Sequence, residues 1–497
     1  MMNTLSRFSK QMKHITSSFH NLLFRLNPFW LQLFYITTLS SFGFLALKAT
    51  KPRTSTKPKN LDLFFTSVSA STLSSMSTVE MEVFSNTHLV FLALLMFLGS
   101  EVFTSLLGLH LMRAKKAKNG LSRSNVSYHT ENLDENENLN LNMKIKCMKT
   151  LSCTVSCYLF VAHGAGLALI YIYLILNPAA KKVLQTKGIN LSTFSIFTTV
   201  SAISNSGFTP TNENMVAFMK NPGLLLILVP QLMMGNMLYP IMLRLMILLM
   251  AKTTRSREYN YILQNSGELG YGHLIPWQDT VYLGITVFGL VVVQMAVFSA
   301  LEWNSEAVVG GGLSVYEKVV GIFFQVVNSR HTGEVVFDLS AVSQAVLLMF
   351  VLMMYLPPYT SYLPIEQAEN TVTSRGEKNT RSNCKGFLDN LIFSQLTYLF
   401  IFIFLICLTE RHKMKTDPLN FNVLNIVFEV VSAYGNVGFT VGYSCEKQIN
   451  PDANCKDAWF GFVGKWSDVA KLILAIVMIF GRLKKFNKRG GRAWNLA

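Results

Sequence analysis

Four short segments of the chain repeat one pattern of small and polar residues. Val200-Ser-Ala-Ile-Ser-Asn-Ser-Gly207 returns as Val431-Ser-Ala-Tyr-Gly-Asn-Val-Gly438. Val68-Ser-Ala-Ser-Thr-Leu-Ser-Ser75 keeps Val-Ser-Ala and has serine in place of the glycine, whereas Val326-Val-Asn-Ser-Arg-His-Thr-Gly333 lacks Ser-Ala but has its glycine in register. A glycine lets an extended chain adopt unusual φ/ψ values, so its backbone carbonyl oxygens can point towards a bound ion.

Backbone carbonyls are the groups that replace the hydration shell of a cation in a selective pore. Four loops with a residue in register fit a fourfold ring, which predicts a filter at Ser75, Gly207, Gly333 and Gly438. Non-helical backbone is tolerated at membrane depth only where it is buried in protein or lines a water-filled path. The pattern therefore indicates a pore for a small monovalent cation, coordinated by the backbone carbonyls of these four residues.

The elements that must position the loops are apolar spans. Of the 497 residues, 50% are hydrophobic and 14% charged, compared with about 25% charged in soluble proteins. One apolar span precedes and one follows each repeat, and the stretch of about 12–15 residues before each repeat is too short to cross a bilayer. The predicted fold is an all-α membrane protein with four span–pore loop–span repeats, that is, eight transmembrane helices and four re-entrant pore helices around a central pore.

The predicted boundaries follow this repetition. They are a cytoplasmic N-terminus (1–28), repeat 1 (29–112), a loop (113–149), repeat 2 (150–250), a loop (251–277), repeat 3 (278–363), a loop (364–388), repeat 4 (389–485) and a basic tail (486–497). The net charge is +16, and basic residues concentrate in the three loops and both termini, which the positive-inside rule places in the cytoplasm. We therefore expect no nucleic-acid partner. The Asn- and Glu-rich stretch from Asn125 to Asn142 resembles a disordered loop.

The repeats and their surroundings resemble the plant high-affinity K+ transporter (HKT) family, within the Trk/Ktr/HKT superfamily. The residues that carry the resemblance are Thr66-Ser-Val-Ser-Ala, Ser74-Ser-Met-Ser-Thr-Val-Glu-Met-Glu, Asn205-Ser-Gly-Phe-Thr-Pro-Thr-Asn-Glu-Asn, Asn328-Ser-Arg-His-Thr-Gly-Glu, Tyr355-Leu-Pro-Pro-Tyr and Ser432-Ala-Tyr-Gly-Asn-Val-Gly-Phe-Thr. The resemblance implies that the four filter positions decide selectivity, and that serine at the first position, Ser75, is typical of the Na+-selective subfamily I. It also implies a homodimer with one pore per subunit.

Residues near the filter add further expectations. Asn205 and Asn436 lie two residues before their glycines and would supply hydrogen bonds without charge. Glu80, Glu82, Glu213 and Glu334 follow filter residues and would concentrate cations at the outer mouth, with ordinary loop solvation as the alternative. We expect His331 to serve packing, not metal binding.

Three of the charged residues within the predicted spans carry further expectations. The resemblance implies that Arg482 faces the pore below the filter as a barrier, although it could instead belong to the basic cytoplasmic end with Lys484 and Lys485. Lys471 is expected to extend outwards to the membrane surface, and Glu101 to be paired or to face protein, with an ion site as the alternative.

Cys445 and Cys455 fall in the predicted extracellular loop after the fourth filter residue, where disulfides persist. The intervening segment is polar and contains proline, so a Cys445–Cys455 disulfide is predicted. The other five cysteines should be reduced.

Taken with the resemblance, the sequence predicts a multi-pass plasma-membrane protein that passes Na+ down its electrochemical gradient, in the lipid bilayer, with no cofactor. A K+-permeable or Na+/K+ symporting member of the same family is the alternative. A membrane-embedded enzyme would need a nucleophile–base pair or a metal-ligand set at membrane depth, and the sequence offers none.

Overall fold

The computed structural model describes residues 28–54, 57–124, 134–330, 332–357, 359, 395–449 and 455–484. This part of the chain is helical, with a single isolated bridge between Tyr443 and Ala458. The helices are α1 (Pro28–Ala49), α2 (Asn60–Thr72), α3 (Asn86–Gly99), α4 (Glu101–Ser124), α5 (Asp134–Leu176), α6 (Pro178–Thr186), α7 (Leu191–Ser204), α8 (Pro222–Gly235), α9 (Tyr239–Thr254), α10 (Arg257–Gln264), α11 (Trp277–Glu302), α12 (Glu306–Val309), α13 (Val315–Asn328), α14 (Gln344–Tyr355), α15 (Gln395–Thr409), α16 (Arg411–Thr416), α17 (Val423–Gly435) and α18 (Asp468–Leu483).

The long apolar helices are suited to crossing a bilayer. Within the described residues, three helices are long and apolar enough by themselves, namely α1, α5 and α11. Two bent pairs also qualify as single broken spans, α3 with α4 at 51° and α8 with α9 at 82°. The remaining flanking helices α14, α15 and α18 have 12, 15 and 16 residues, so the count of eight crossings stays a prediction.

Four short helices, α2, α7, α13 and α17, end within the four repeat segments, a few residues before the predicted filter residues. They have 13 or 14 residues, and a helix of that length rises about 20 Å, too little to cross a hydrocarbon core of about 30 Å. Side-chain caps fix the start of three of them, at Asn190, at the Ser314–Glu317 capping box and at Asn422. Most of their side chains are buried among the longer helices, as re-entrant pore helices require.

The outer surface of the long helices is apolar. On α5 and α11, for example, Phe160 is 77% exposed and Phe288 is 71% exposed. Exposed aromatic and aliphatic side chains along a helix of this length are expected where the solvent is lipid.

The loop after repeat 1 differs from its prediction. The helix α5 begins at Asp134, so the second half of the stretch from Asn125 to Asn142 is helical and not disordered. The helix is 43 residues long because its apolar span continues directly into a polar N-terminal extension. His331 and most of the predicted N-terminus, third cytoplasmic loop and basic tail lie outside the described residues.

Candidate functional site: the convergence of four pore loops

Three of the four pore helices end in the same way. The residue after each helix adopts the left-handed conformation, with φ of 62° at Leu73, 56° at Asn205 and 54° at Asn436. The next N–H then bonds back to a helix carbonyl, a termination that turns the chain sharply away from the helix axis. These bonds are Ser74 N to Ser69 O, Ser206 N to Ser201 O and Val437 N to Ser432 O, at 2.9, 2.9 and 3.0 Å.

The third pore helix ends differently. Ser329, the residue after α13, keeps a right-handed helical conformation with φ of −59°. Thr332 N then bonds to Asn328 O at 3.2 Å. This local difference matches the sequence, in which the third repeat is the one that lacks Ser-Ala.

The structure brings the four predicted filter residues together. A Cβ atom placed on Gly207 would lie 2.3 Å from the backbone nitrogen of Gly333, and one placed on Gly333 would lie 2.4 Å from the carbonyl carbon of Gly438. One placed on Gly438 would lie 2.4 Å from the Cβ of Ser75. The four residues are therefore neighbours in the order Gly207, Gly333, Gly438 and Ser75, and no side chain fits at the three glycines.

Backbone conformation gives a second reason for glycine. Gly207 and Gly438 have φ of 84° and 100°, which L-residues with a side chain rarely adopt. Ser75 has φ of 53°, within the small left-handed region that is accessible to a non-glycine residue at some cost. Its side chain is buried against Gly438. Serine is accommodated at this position of the four-residue ring because its neighbour Gly438 has no side chain. We call the four positions of the ring its corners.

Asn205 and Asn436 connect adjacent loops. The Nδ2 atom of Asn205 donates to Thr332 Oγ1 at 3.1 Å, and that of Asn436 donates to Ser74 Oγ at 2.8 Å. Each acceptor residue directly precedes a filter residue of another repeat. The same amides reach the helices that follow their pore loops, with bonds to Leu232 O at 2.9 Å and Met478 O at 3.0 Å.

The predicted acidic outer mouth is partly neutralised. Glu80, Glu82 and Glu213 are half-buried in the segments that follow their filter residues. Lys187, which sequence reasoning did not single out, lies 2.7 Å from a carboxylate oxygen of Glu82 and 2.5 Å from one of Glu213. Burial lowers the pKa of Lys187, but hydrogen bonds and attraction from both carboxylates more than offset it, so the pKa lies above its usual value.

Glu334 does not belong to this mouth. Its side chain is fully buried, so the prediction that it concentrates cations at the outer surface is wrong. The chain after Gly333 turns back against α13, where Gln325 Oε1 accepts from Val336 N at 2.9 Å. That turn carries Glu334 into the protein. The residue order alone gives no sign of the turn.

A second buried acid, Glu429 of α17, was missed by sequence reasoning. Its Oε1 atom accepts from Thr440 Oγ1 at 2.5 Å and from Val441 N at 3.0 Å. It thus holds the segment after Gly438 in the way that Gln325 holds the segment after Gly333. An acidic residue in the middle of an apolar pore helix was the available signal.

Below the filter, Arg482 lines a cavity together with Glu101 and Lys484. Asn205 and Asn436 line the same cavity, which places it next to the filter residues, on the side predicted to face the cytoplasm. The Nη2 atom of Arg482 donates to Gly99 O at 2.5 Å, and the side chain is 6% exposed. Gly481 permits this position, since a Cβ there would lie 2.1 Å from Tyr434 O.

Lys471 contradicts its prediction. Its ammonium group does not extend outwards, because its Nζ atom lies 2.8 Å from Asp62 Oδ1 and the side chain is buried. The partner is on α2, in another repeat. A sequence cannot show a carboxylate that is brought close only by the fold.

The two cysteines of the outer loop are joined. Cys445 and Cys455 form a disulfide with a Cα–Cα distance of 5.9 Å. Cys445 N also donates to Asp457 Oδ1 at 2.7 Å. Cys147, Cys153, Cys157 and Cys407 are free, and Cys384 lies outside the described residues.

Comparison with known proteins assigns the chain to a family. Residues 3–487 match the model of TrkH, described as a cation transport protein. The chain belongs to the TrkH family. It is accordingly a membrane cation transporter and not an enzyme, and the predicted resemblance to HKT proteins is confirmed by the relatives below.

Individual relatives of this TrkH-family transporter carry HKT names. The chain is 46% identical over 515 residues to Cation transporter HKT1;3 of Oryza sativa subsp. japonica, covering 99% of this chain and 96% of the relative. It is 48% identical over 465 residues to Sodium transporter HKT1 of Arabidopsis thaliana, covering 91% and 92%. Cation transporter HKT2;4 of Oryza sativa subsp. japonica is 36% identical over 483 residues, covering 94% of each chain.

Proposed function

We propose that this cation transporter passes Na+ down its electrochemical gradient through a pore whose filter is formed by Ser75, Gly207, Gly333 and Gly438. The observation that carries the proposal is that these four residues lie next to one another, in the order Gly207, Gly333, Gly438 and Ser75, after the ends of four pore helices. Left-handed or otherwise unusual backbone at membrane depth is expected where carbonyl oxygens line an ion path.

Selectivity for Na+ rests on Ser75. Three corners without a side chain and one with a hydroxymethyl group make an uneven ring, and the smaller Na+ tolerates fewer direct contacts than K+. The identity of 48% to a protein named as a sodium transporter supports the same ion. Relatives with HKT2 names are less similar, at 36% for HKT2;4.

The driving force would be the membrane potential. A potential of 100 mV contributes about 2.3 kcal/mol per monovalent charge, so inward flow of Na+ needs no other energy source. We place the transporter in the plasma membrane with both termini in the cytoplasm. The disulfide between Cys445 and Cys455 supports an extracellular position for the loop after the fourth filter residue.

We also propose a homodimer in which each subunit has its own pore, so conduction should not require residues from a second copy. Co-expression of the wild type with a non-conducting variant tests this. Current should fall in proportion to the wild-type fraction, and a steeper loss would contradict separate pores.

The decisive experiment is voltage clamp of cells that express the chain, with reversal potentials measured in mixed Na+ and K+ baths. A reversal potential that follows external Na+ and ignores external K+ is expected. A reversal potential that follows K+ as closely as Na+ would support the K+-permeable alternative. Movement of one ion that depends on the other would support symport.

A further inference from the structure

Asn214 lies in the loop beyond the second filter residue and reaches across to the third. Its Nδ2 atom donates to the carbonyl oxygen of Gly333 at 3.0 Å. Its Oδ1 atom accepts from Val335 N at 3.2 Å. One amide side chain thus holds the backbone on both sides of Glu334.

The position of Asn214 is itself constrained. Its backbone has φ of 56°, a conformation that asparagine adopts more readily than most residues with a side chain. Thr211 closes the turn, because Thr211 Oγ1 donates to Asn214 O at 2.6 Å and Asn214 N donates to Thr211 O at 3.3 Å. The amide therefore approaches the third loop from a fixed turn.

Gly333 differs from the other filter residues in this contact. Among the hydrogen bonds of the described residues, none ends on the carbonyl oxygen of Ser75, Gly207 or Gly438. Of the four filter carbonyls, only that of Gly333 accepts from an amide donor within the described part of the chain. A carbonyl oxygen has two lone pairs, so this one keeps some capacity for an ion, but its direction is fixed and part of its acceptor strength is already used.

The hydrogen bond to Gly333 O lies opposite Ser75 in the ring of four filter residues. Gly438 lies between Gly333 and Ser75, and the Gly333 and Ser75 corners are therefore not adjacent. The two departures from fourfold symmetry, a side chain at Ser75 and a bound carbonyl at Gly333, lie on one diagonal of the ring. The remaining diagonal consists of Gly207 and Gly438.

We infer that Asn214 is a positioning residue that sets ion selectivity by holding the Gly333 carbonyl. This inference rests on the filter proposed above. With the amide in place, one carbonyl is less available, which disfavours an ion that needs an even cage. Without the amide, Gly333 O becomes equivalent to the other carbonyls, and K+ gains relative to Na+.

Two variants distinguish the role of the Asn214 donor, Nδ2, from that of its acceptor, Oδ1. Asn214→Asp keeps the acceptor for Val335 N and suits the left-handed backbone, but it loses the donor to Gly333 O. Asn214→Gly keeps the backbone conformation and loses both contacts. Asn190→Asp is the control, since it adds the same charge at an exposed helix cap that aspartate can replace.

Reversal potentials in Na+ and K+ baths give the readout. We expect both Asn214 variants to lower the Na+/K+ permeability ratio about three- to ten-fold, the size expected for loss of one hydrogen bond, and Asn190→Asp to leave it unchanged. An unchanged ratio in both Asn214 variants overturns the inference. A change in Asn214→Gly but not in Asn214→Asp also overturns it, because the Val335 contact would then be the one that matters.

Failure of the proposed function would look different, because the wild type itself would then carry no Na+ current. If neither Asn214 variant conducts, purified proteins are compared by the NaCl and KCl concentrations that half-maximally raise their melting temperature. If the variant needs less KCl relative to NaCl than the wild type does, the inference is supported. If the ratio of the two half-maximal concentrations is the same in variant and wild type, the inference is rejected.

Discussion

The ammonium nitrogen of Lys471 lies 2.8 Å from the carboxylate oxygen Oδ1 of Asp62. The pair joins α18, the last helix of the fourth repeat, to α2, the pore helix of the first. Both residues are buried, at 5% and 8% exposure. Because the two repeats are far apart in the sequence, this ion pair fixes the first pore loop relative to the end of the chain.

Removing either partner should destabilise the protein strongly. Lys471→Met or Asp62→Leu leaves one buried charge unpaired, which costs about 3–5 kcal/mol. The double variant should cost less than the two single changes together. Thermal unfolding of the purified protein measures this, with Lys456→Met as the exposed control. Strictly additive losses would show that the two charges do not interact.

Arg482 should limit conduction from the inner side. One unit charge about 10 Å from the ion path contributes about 1.7 kcal/mol at an effective dielectric constant of about 20. We therefore expect Arg482→Gln to raise inward current several-fold and to weaken rectification. Current–voltage curves at matched surface expression are the measurement.

The matched control for Arg482 is Lys252→Gln, an exposed basic residue in the last turn of α9. It should change the current little. Equal effects of the two variants would mean that the general charge of the inner surface is responsible. Unaltered curves for Arg482→Gln would show that its bond to Gly99 O serves only the fold.

Lys187 should reduce the negative potential at the outer mouth. Lys187→Gln removes its charge from between Glu82 and Glu213. We expect larger inward current at low ionic strength, and a smaller difference as salt rises, because the screening length falls to about 3 Å at 1 M salt. Current is measured at constant Na+ while the concentration of an impermeant salt is varied.

Lys181→Gln is the control for Lys187, since Lys181 is exposed on the neighbouring helix α6. If Lys181→Gln raises the current equally, the effect is one of general surface charge. A Lys187→Gln effect that persists at high salt would point to rearranged loops instead of electrostatics.

The repeats predicted the central part of this structure because they combine two local signals. The Val-Ser-Ala segments end short helices, and the residue in register adopts the backbone that glycine allows. Ser75, Gly207 and Gly438 could therefore be aligned without knowing the fold, whereas Gly333 was aligned by the spacing of its glycine alone. The short length of α2 and α17 likewise follows from where the apolar pattern changes.

Contacts between repeats could not be predicted in this way. Lys471 with Asp62, Lys187 with Glu82 and Asn214 with Gly333 each join segments that are distant in sequence. The position of Glu334 could not be predicted from the sequence either. Because it follows the filter residue Gly333, it was expected at the outer mouth, but the fold of the third loop buries it. Charge and polarity are visible in a sequence, but the partner of a polar group is decided by tertiary packing.

Ser75 gives the sharpest prediction for selectivity. Ser75→Gly removes the one side chain among the four corners and relaxes a residue with φ of 53°. The ring then consists of four glycines, which offers K+ a more even set of carbonyls. We expect the K+/Na+ permeability ratio to rise, measured as reversal potentials in Na+ and K+ baths.

The reciprocal change, Gly207→Ser, should not compensate for Ser75→Gly. Gly207 has φ of 84°, and its Cβ would lie 2.3 Å from the backbone nitrogen of Gly333. That contact is with backbone, which cannot move aside as a flexible side chain could. Gly207→Ser should therefore abolish current in either background. If Ser75→Gly leaves the permeability ratio unchanged while the protein conducts normally, Ser75 does not determine selectivity, and its hydroxyl serves only to pack against Gly438.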